Sequence, residues 1–414
     1  MILGIDVGGT HTDAVLLSKD GLLAAAKVTT DHEDLLSSVR LALAEVIKGH
    51  EATKVKRFNL STTLCTNAIV QGDLEEVGVL VTAGPGIDPE HFRMGSCYAI
   101  IPGGLDHRGT ELAPLDLDVA KSKIVEYKQR GVRIFSVIGK FSPRNPGHEQ
   151  QLAALLEGEC DFLTLGHALS GQLNFPRRVA TSYYNSAIWP IFNDFANSVS
   201  DSLKDFGLHP PHVNILNADG GTMTFRQARR TPVESIFSGP SASVMGIMAL
   251  CPIESDAVLL DLGGTTTDVA VFANGDPLIE AESVELAHRP TLVRAMKTKS
   301  IPLGGDSAVT VAQGSVWVGP RRMGPCMAQG GTVPTLVDAL NCAKQYSYGQ
   351  TEASDRGMQS LAQDLGWNPH QVSWKVIHEF CRVLKRETLD MLAEINERPV
   401  YTVHEFLEYR QIVP

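Results

Sequence analysis

Apolar and polar positions along the chain switch between two periods. Residues 2–5 are apolar, a polar glycine-rich turn follows, and Ala14–Leu17 form a second apolar run. This pattern predicts two strands joined by a tight loop, with no helix between them. From Asp31 to Lys48 the apolar positions 35, 36, 39, 43, 46 and 47 keep a helical period, with acidic residues in the first turn and Gly49 just past the end. Strand-type runs recur at 77–82, 132–138 and 163–165, and helical ones at 116–130 and 147–157, so the first 160 residues alternate β and α.

Further on, a long helix is expected over Ser186–Phe206, with Pro190 near its start or kinking it. Strand Val213–Leu216 follows. Ser238-Gly-Pro240 opens a helix of small and apolar residues to about Leu250, its proline in the first turn where a missing N–H does no harm. A buried-type strand comes next at Ala257–Leu260, and helical periodicity returns from about His370 to Glu397. The remaining tail is expected to be peripheral.

The most informative feature is a repeat. Asp6-Val-Gly-Gly-Thr-His-Thr-Asp13 recurs 255 positions later as Asp261-Leu-Gly-Gly-Thr-Thr-Thr-Asp268, with six of eight positions identical. Each copy follows one apolar strand and precedes another, so duplication is the natural reading. The residue types suit phosphate: two glycines bring backbone N–H groups close to phosphate oxygens, and threonine hydroxyls add donors. An aspartate ending the first strand can hold a hydrated Mg²⁺, which prefers water plus one or two carboxylates to a full protein cage. One Gly-Gly turn between strands is commonplace, whereas two near-identical copies are not. No G-x-x-x-x-G-K-[ST] is present, and each chain segment continues into a strand where a P-loop needs a helix.

Composition narrows the reading further. The 414 residues suffice for two or three domains, and 37 glycines direct attention to glycine-dependent loops. A formal charge of −11 without any basic cluster argues against a nucleic-acid partner. Seven scattered cysteines with no C-x-x-C pair indicate neither a disulfide framework nor a zinc or iron–sulfur site, which fits a reducing cytoplasm. The amino terminus lacks a basic stretch of signal-peptide type, and no apolar run reaches the ~20 residues that cross a bilayer, so a soluble, cytoplasmic protein with no membrane partner is expected.

Several isolated residues admit plain structural roles. Ser61-Thr-Thr can cap a helix ending at Gly72, and Asn145-Pro146 reads as a turn and cap. His107, His148 and His167 have no i, i+4 partner on a helix, so a surface or hydrogen-bonded structural role is expected of each in preference to catalysis; the prolines of His209-Pro-Pro-His212 impose an extended loop, and a metal site is not expected there.

The duplicated hairpins resemble those of the superfamily that includes actin, hexokinases, sugar kinases and the heat-shock chaperone ATPase. Further strings resemble one branch, the hydantoinase A and 5-oxoprolinase family: Ser61-Thr-Thr-Leu-Cys-Thr-Asn-Ala68, Phe141-Ser-Pro-Arg-Asn-Pro-Gly-His-Glu149, Asn217-Ala-Asp-Gly-Gly-Thr-Met223, Ser238-Gly-Pro-Ser-Ala242, Pro302-Leu-Gly-Gly-Asp-Ser307, Val318-Gly-Pro320 and Pro334-Thr335. They occur in the family's order. This chain departs from the family at His11, where phenylalanine is usual, and at Asp219-Gly-Gly, where Asn-Gly-Gly is usual. The family's late glycine-rich adenosine-binding motif is not found, so either the chain stops short or its second domain is shortened.

The resemblance implies an α/β fold of duplicated actin-like, ribonuclease-H-like ATPase domains with a cleft between them, divided as 1–178 and 179–414. It implies ATP and Mg²⁺ as cofactors, with Asp6 and Asp261 positioning the metal. Gly8, Gly9, Thr10, Thr12, Gly263, Gly264, Thr265, Thr266, Gly304 and Gly305 would hold phosphates, and Asp13, Asp219, Asp268 and Asp306 would orient substrate or water. The implied reaction is ATP-dependent hydrolysis of a small cyclic amide such as a hydantoin or 5-oxoproline, through phosphorylation of its carbonyl. A hydantoinase B-like subunit and an oligomeric state are the expected partners. Two rival readings are a small-molecule kinase and a non-catalytic ATP-driven reactivator or assembly factor.

Overall fold

The computed structural model describes residues 1–31, 34–280, 283–397 and 401–402. The chain forms two compact units, Met1–Ala242 with Glu282–Ala295, and Ser243–Ala281 with Met296–Pro414. The sequence-based division at 178/179 does not coincide with this one. The segment expected to begin the second domain packs instead on strands of the first.

Unit 1 opens with strands β1 (Ile2–Val7), β2 (His11–Ser18) and β3 (Gly21–Thr29), helix α1 (Leu35–Ile47), strand β4 (Arg57–Thr62) and helix α2 (Leu64–Gln71). Asp34 caps α1 by accepting from the Ser37 backbone N–H at 3.0 Å, three residues later than the sequence suggests. Gly72 ends α2 in the left-handed conformation, φ 76°, which glycine adopts without a Cβ penalty. Next come β5 (Val77–Ala83), β6 (Tyr98–Leu105), β7 (Glu111–Ala113), α3 (Leu117–Gln129), β8 (Ile134–Gly139), α4 (Gly147–Leu156), β9 (Phe162–Leu165) and α5 (Gly166–Leu169). Helix α6 (Phe175–Ala187) follows, and the helix expected over 186–206 is α7 (Trp189–Asp205), with Pro190 in its first turn. Then follow β10 (His212–Leu216), β11 (Thr222–Thr224) and α8 (Phe225–Ala228).

These elements build two sheets. The first has the order β11-β10-β4-β1-β2-β3, with β10, β4 and β1 parallel and the β1–β2 hairpin antiparallel. The second has the order β7-β6-β5-β8-β9, mostly parallel. Leu3, Ile5 and Val7 of β1 share one apolar cluster with Val39 and Leu43 of α1, Phe58 and Leu60 of β4, and Val199 and Leu203 of α7.

Helix α9 (Ser238–Leu250) leads from unit 1 into unit 2, which has β12 (Ala257–Leu262), β13 (Thr267–Ala273) and β14 (Asp276–Ile279). The chain then returns to unit 1 through the short pair β15 (Glu285–Leu286) and β16 (Arg289–Pro290). Here the Leu292 N–H donates to the Thr181 hydroxyl and the Tyr184 hydroxyl to the Leu286 carbonyl, both on or against α6. Unit 2 resumes with β17 (Thr298–Ile301), β18 (Ser307–Ala312), β19 (Ser315–Arg322), α10 (Leu336–Cys342), α11 (Thr351–Leu365), α12 (Pro369–Glu397) and β20 (Tyr401–Thr402). Its sheet runs β12-β13-β14-β20, with β17 also paired to β13. Residues of α10, α11 and α12 cover Val269 and Val271 on one face of β13. Val244 and Ile247 of α9 pack near Ala270 and Phe272 on the other. The tail beyond residue 402 lies outside the described residues.

Candidate functional site

The duplicated strings fold alike. In the first, the Gly8 N–H donates to the His11 carbonyl at 3.1 Å; in the second, the Gly263 N–H donates to the Thr266 carbonyl at 2.9 Å. These are the same bond 255 residues apart. A Cβ on Gly8 would lie 3.0 Å from the His11 oxygen, and one on Gly263 3.2 Å from that of Thr266, so both turns favour glycine. Each hairpin also pairs its two aspartates directly across the ladder, Asp6 with Asp13 and Asp261 with Asp268.

Their surroundings differ. Asp13 is held by Lys27 of β3, whose Nζ lies 2.9 Å from both carboxylate oxygens. Among the described residues Asp268 has no lysine or arginine in ion-pair contact. It is partly buried, one of its oxygens has no hydrogen-bond partner, and Ser300 lies opposite it on β17. Burial, with a smaller contribution from the Asp261 charge, pushes its carboxyl above the usual carboxylate range even though Ser300 favours the ionised form. Asp261 in turn accepts a 2.5 Å hydrogen bond from the Ser243 hydroxyl of α9.

Unit 1 gathers its remaining motif residues along one sheet edge. Strands β1, β4 and β10 are parallel, so their carboxyl ends put Gly8–Thr10, Thr63 and Asn217–Gly221 on the same side, where open α/β sheets bind ligands. The Ser238 hydroxyl ties the start of α9 to this edge, accepting from the Thr62 N–H at 3.2 Å and donating to the Thr62 carbonyl at 3.1 Å. Asp219 sits there in an ion pair with Arg294, 3.0 Å away. Glu234, which the sequence reading passed over, adjoins the pair: burial first and the Asp219 charge second raise its carboxyl to about 7, against the pull of Arg294.

Unit 2 buttresses its hairpin with the Gly304-Gly305-Asp306 loop. The Gly305 N–H donates to the Gly263 carbonyl at 2.9 Å and the Asp306 N–H to the Gly264 carbonyl at 2.7 Å. A Cβ on Gly304 would lie 2.6 and 2.7 Å from those two carbonyl oxygens, so only glycine fits. The Asp306 carboxylate turns to Arg322, 3.1 Å away.

Gly9, Thr10, Gly264, Thr265 and Thr266 thus lie in the two turns. Thr12 does not present its hydroxyl there: it is buried and bonded to the Thr30 hydroxyl at 3.0 Å, because its position on β2 points to the core. The histidines behave as structural residues. His167 meets Glu149 at 2.5 Å, and His148 is buried in α4. Thr63 begins α2 without a side-chain cap bond, while Asn145 accepts from the Gly147 N–H at 2.9 Å.

Among the described residues no group of three or more His, Cys, Asp or Glu is placed to hold a metal. A hydrated Mg²⁺ needs only one or two carboxylates, and Asp261, exposed near the end of β12 beside the second glycine turn, fits it. No described helix is long and apolar enough to cross a membrane.

Two family models cover most of the chain: "Hydantoinase/oxoprolinase" matches residues 178–397 and "Hydantoinase/oxoprolinase N-terminal region" residues 2–160. The chain belongs to the hydantoinase/oxoprolinase family. Its similarity to the caprolactamase subunit alpha of Pseudomonas jessenii is 26% identity over 374 residues, 81% of this chain and 53% of that protein. With the acetophenone carboxylase gamma subunit of Aromatoleum aromaticum it shares 25% over 397 residues, 81% of this chain and 52% of that one. This family member therefore spans about half the length of these curated relatives. It shares its fold with nucleotide-free acetone carboxylase (TM-score 0.77, 16% identity, 95% of this chain and 63% of that one) and with the ATP-dependent caprolactamase of P. jessenii (TM-score 0.73, 21% identity, 96% and 63%). These matches show that the chain has the same α/β fold as the two enzymes.

Proposed function

We propose that this chain carries the ATP-binding half of an enzyme that activates the carbonyl of a cyclic amide by phosphorylation. The carrying observation is the hairpin repeated 255 residues apart with the same glycine bond and the same facing aspartates. The relatives add support: one is named a caprolactamase and two are named 5-oxoprolinases, of Pestalotiopsis fici and Arabidopsis thaliana.

In this reading the N–H groups and hydroxyls around Gly8–Thr10 and Gly263–Thr266 align the triphosphate, since phosphoryl transfer needs chiefly positioning and charge neutralisation. Asp6 and Asp261 hold Mg²⁺, which when bound offsets phosphate charge. The amide oxygen takes the γ-phosphoryl group and ADP leaves. One water adds to the activated carbon, the ring C–N bond breaks as nitrogen takes a proton, and a second water releases phosphate. Glu234, with a carboxyl near neutrality, accepts a proton from the attacking water, and Arg294 and Asp219 orient it. The full reaction draws on a second subunit of hydantoinase B type, in keeping with relatives named as alpha, beta and gamma subunits. The enzyme works in the cytoplasm.

Calorimetric titration with Mg²⁺-ATP, Mg²⁺-ADP and pyrophosphate tests the nucleotide half. An assay of ADP release with caprolactam, 5-oxoproline and hydantoin then tests the substrate class. Ring opening with stoichiometric ADP and phosphate supports the proposal. A stable phosphorylated product identifies a kinase, ADP release with ketone and bicarbonate alone identifies a carboxylase, and failure to bind any nucleotide or pyrophosphate removes the reading altogether.

A further inference from the structure

Helix α6 is an interior helix with a polar face. Arg178, Thr181, Ser182, Asn185 and Ser186 are each no more than 1% exposed. Polar groups taken out of water have to find partners inside the fold, and two of these find them in a short turn and a loop. The Asn185 side-chain amide spans the turn before Glu234: its Nδ2 donates to the Arg230 carbonyl at 3.0 Å, and its Oδ1 accepts from the Val233 N–H at 3.3 Å. Nδ2 also donates to the Thr164 hydroxyl of β9, 3.0 Å away. One turn earlier, the Thr181 hydroxyl accepts from the Leu292 N–H at 2.8 Å and donates to the Arg177 carbonyl at 2.6 Å. Leu292 stands two residues before Arg294, which pairs with Asp219.

Residues four apart on a helix share a face, so Thr181 and Asn185 act side by side on the segments that carry Arg294 and Glu234. The helix is seated by other contacts: Phe175, Val179, Tyr184 and Ala187 lie in the unit 1 core, and Arg178 donates to the Gln172 and Lys140 carbonyls. Apolar side chains at 181 and 185 would fill the same space but could not hold backbone groups of a turn and a loop. We infer that Thr181 and Asn185 are positioning residues: Thr181 holds Arg294 against Asp219, and Asn185 holds Glu234 beside that pair. The inference rests on the role given above to Glu234 and extends it to two side chains that act through backbone bonds. The charges facing Glu234, those of Asp219 and Arg294, tell the two residues apart. Burial and Asp219 raise its carboxyl, and Arg294 lowers it. Freeing the turn admits water and lowers the Glu234 titration midpoint, whereas freeing Arg294 removes the opposing charge and raises it.

The test is titration of Glu234 by carboxyl-carbon NMR in the full chain, which needs neither nucleotide nor substrate. Asn185→Ala should bring the Glu234 titration midpoint down from about 7 towards 4.5, by at least about one pH unit. Thr181→Val, which keeps the side-chain shape, should move it up by at least about half a pH unit. Thr164→Val is the control: it loses the remaining Asn185 bond and should lower the thermal midpoint of the chain while leaving Glu234 where it was. Ring-opening assays add the split that positioning requires, with kcat lower by about 10- to 100-fold in both variants and KM for Mg²⁺-ATP within about threefold. An unmoved Glu234 in Thr181→Val, or a shift of the same sign in both variants, overturns the inference. If Asn185→Ala does not fold, the direction of the shift in Thr181→Val decides alone. Opposite shifts in a chain that opens no ring support the placement of Glu234 by α6 and overturn only the reaction assigned to it.

Discussion

The two hairpins carry nearly the same eight residues and the same turn bond, yet they sit in different chemistry. The first is embedded: β1 lies inside a six-stranded sheet, and Asp13 is neutralised by Lys27. The second is braced from one side by the Gly304–Asp306 loop, has an open strand, and keeps its two aspartates facing each other with no lysine between them. A repeat thus preserves local geometry and leaves electrostatics to whichever strands happen to flank it. Substitutions at equivalent positions separate the two effects.

The largest stability contrast is expected between Ile5→Ala and Leu260→Ala. Emptying the buried site should cost about 2–5 kcal/mol, against less than about 1 kcal/mol at the open one, by denaturant unfolding. Equal losses would mean that β12 is covered in solution. Asp261→Asn should lower Mg²⁺-ATP turnover about 10²–10³-fold with thermal unfolding unchanged. It should also bring the Asp268 carboxyl down towards its ordinary range, readable by carboxyl-carbon NMR, since it removes one of the charges that raise it. An unmoved Asp268 would leave burial as the sole cause.

Glu234→Gln examines the buried carboxyl beside the Asp219–Arg294 pair. In the folded chain Glu234 keeps its proton to about pH 7, while in the unfolded chain it ionises near its ordinary 4.5. The folded state therefore binds more protons between those limits, and stability falls as pH rises through the window, by up to about 3 kcal/mol. Glutamine should flatten that slope; a slope that persists assigns the proton elsewhere. The smallest effect pairs Gly304→Ala with Gly9→Ala. The first meets two carbonyls and should cost about 1–3 kcal/mol. The second meets nothing within 4 Å, so its calorimetric melting should hardly move and any loss of nucleotide affinity reports on phosphate.

Much of this was legible in advance because its signals are local. The hairpins, the strand at 77–83 and the helices at 117–129 and 147–156 all follow from apolar spacing over a few residues. Strand β4 was not legible: Asn59, Ser61 and Thr62 break its apolar pattern, although it lies at the centre of a sheet. Helix α6 begins with a cap at Asn174 and ends where Pro190 requires a new start, which the apolar spacing does not show. At the candidate site, glycines and aspartates could be found by repetition. Their partners could not, because Arg294 is 75 residues from Asp219, and Glu234 lies in a short turn where no period marks it. The buried orientation of Thr12 follows from the strand alternation of β2, which outweighs the suitability of its hydroxyl for phosphate.

The return of the chain to unit 1 at β15 and β16 has a consequence for biosynthesis. Leu286 and Leu292 are bound to α6 by hydrogen bonds from and to residues made more than 100 positions earlier. A ribosome must therefore deliver the second hairpin, Ala257–Ala273, before the first unit receives its last piece. Unit 1 waits, nearly assembled but unsealed, for about fifty residues beyond Ala242, some three to ten seconds at ordinary elongation rates. During that interval the newborn chain already displays its apolar β12, so the order of synthesis exposes the stickiest strand before the older half is closed.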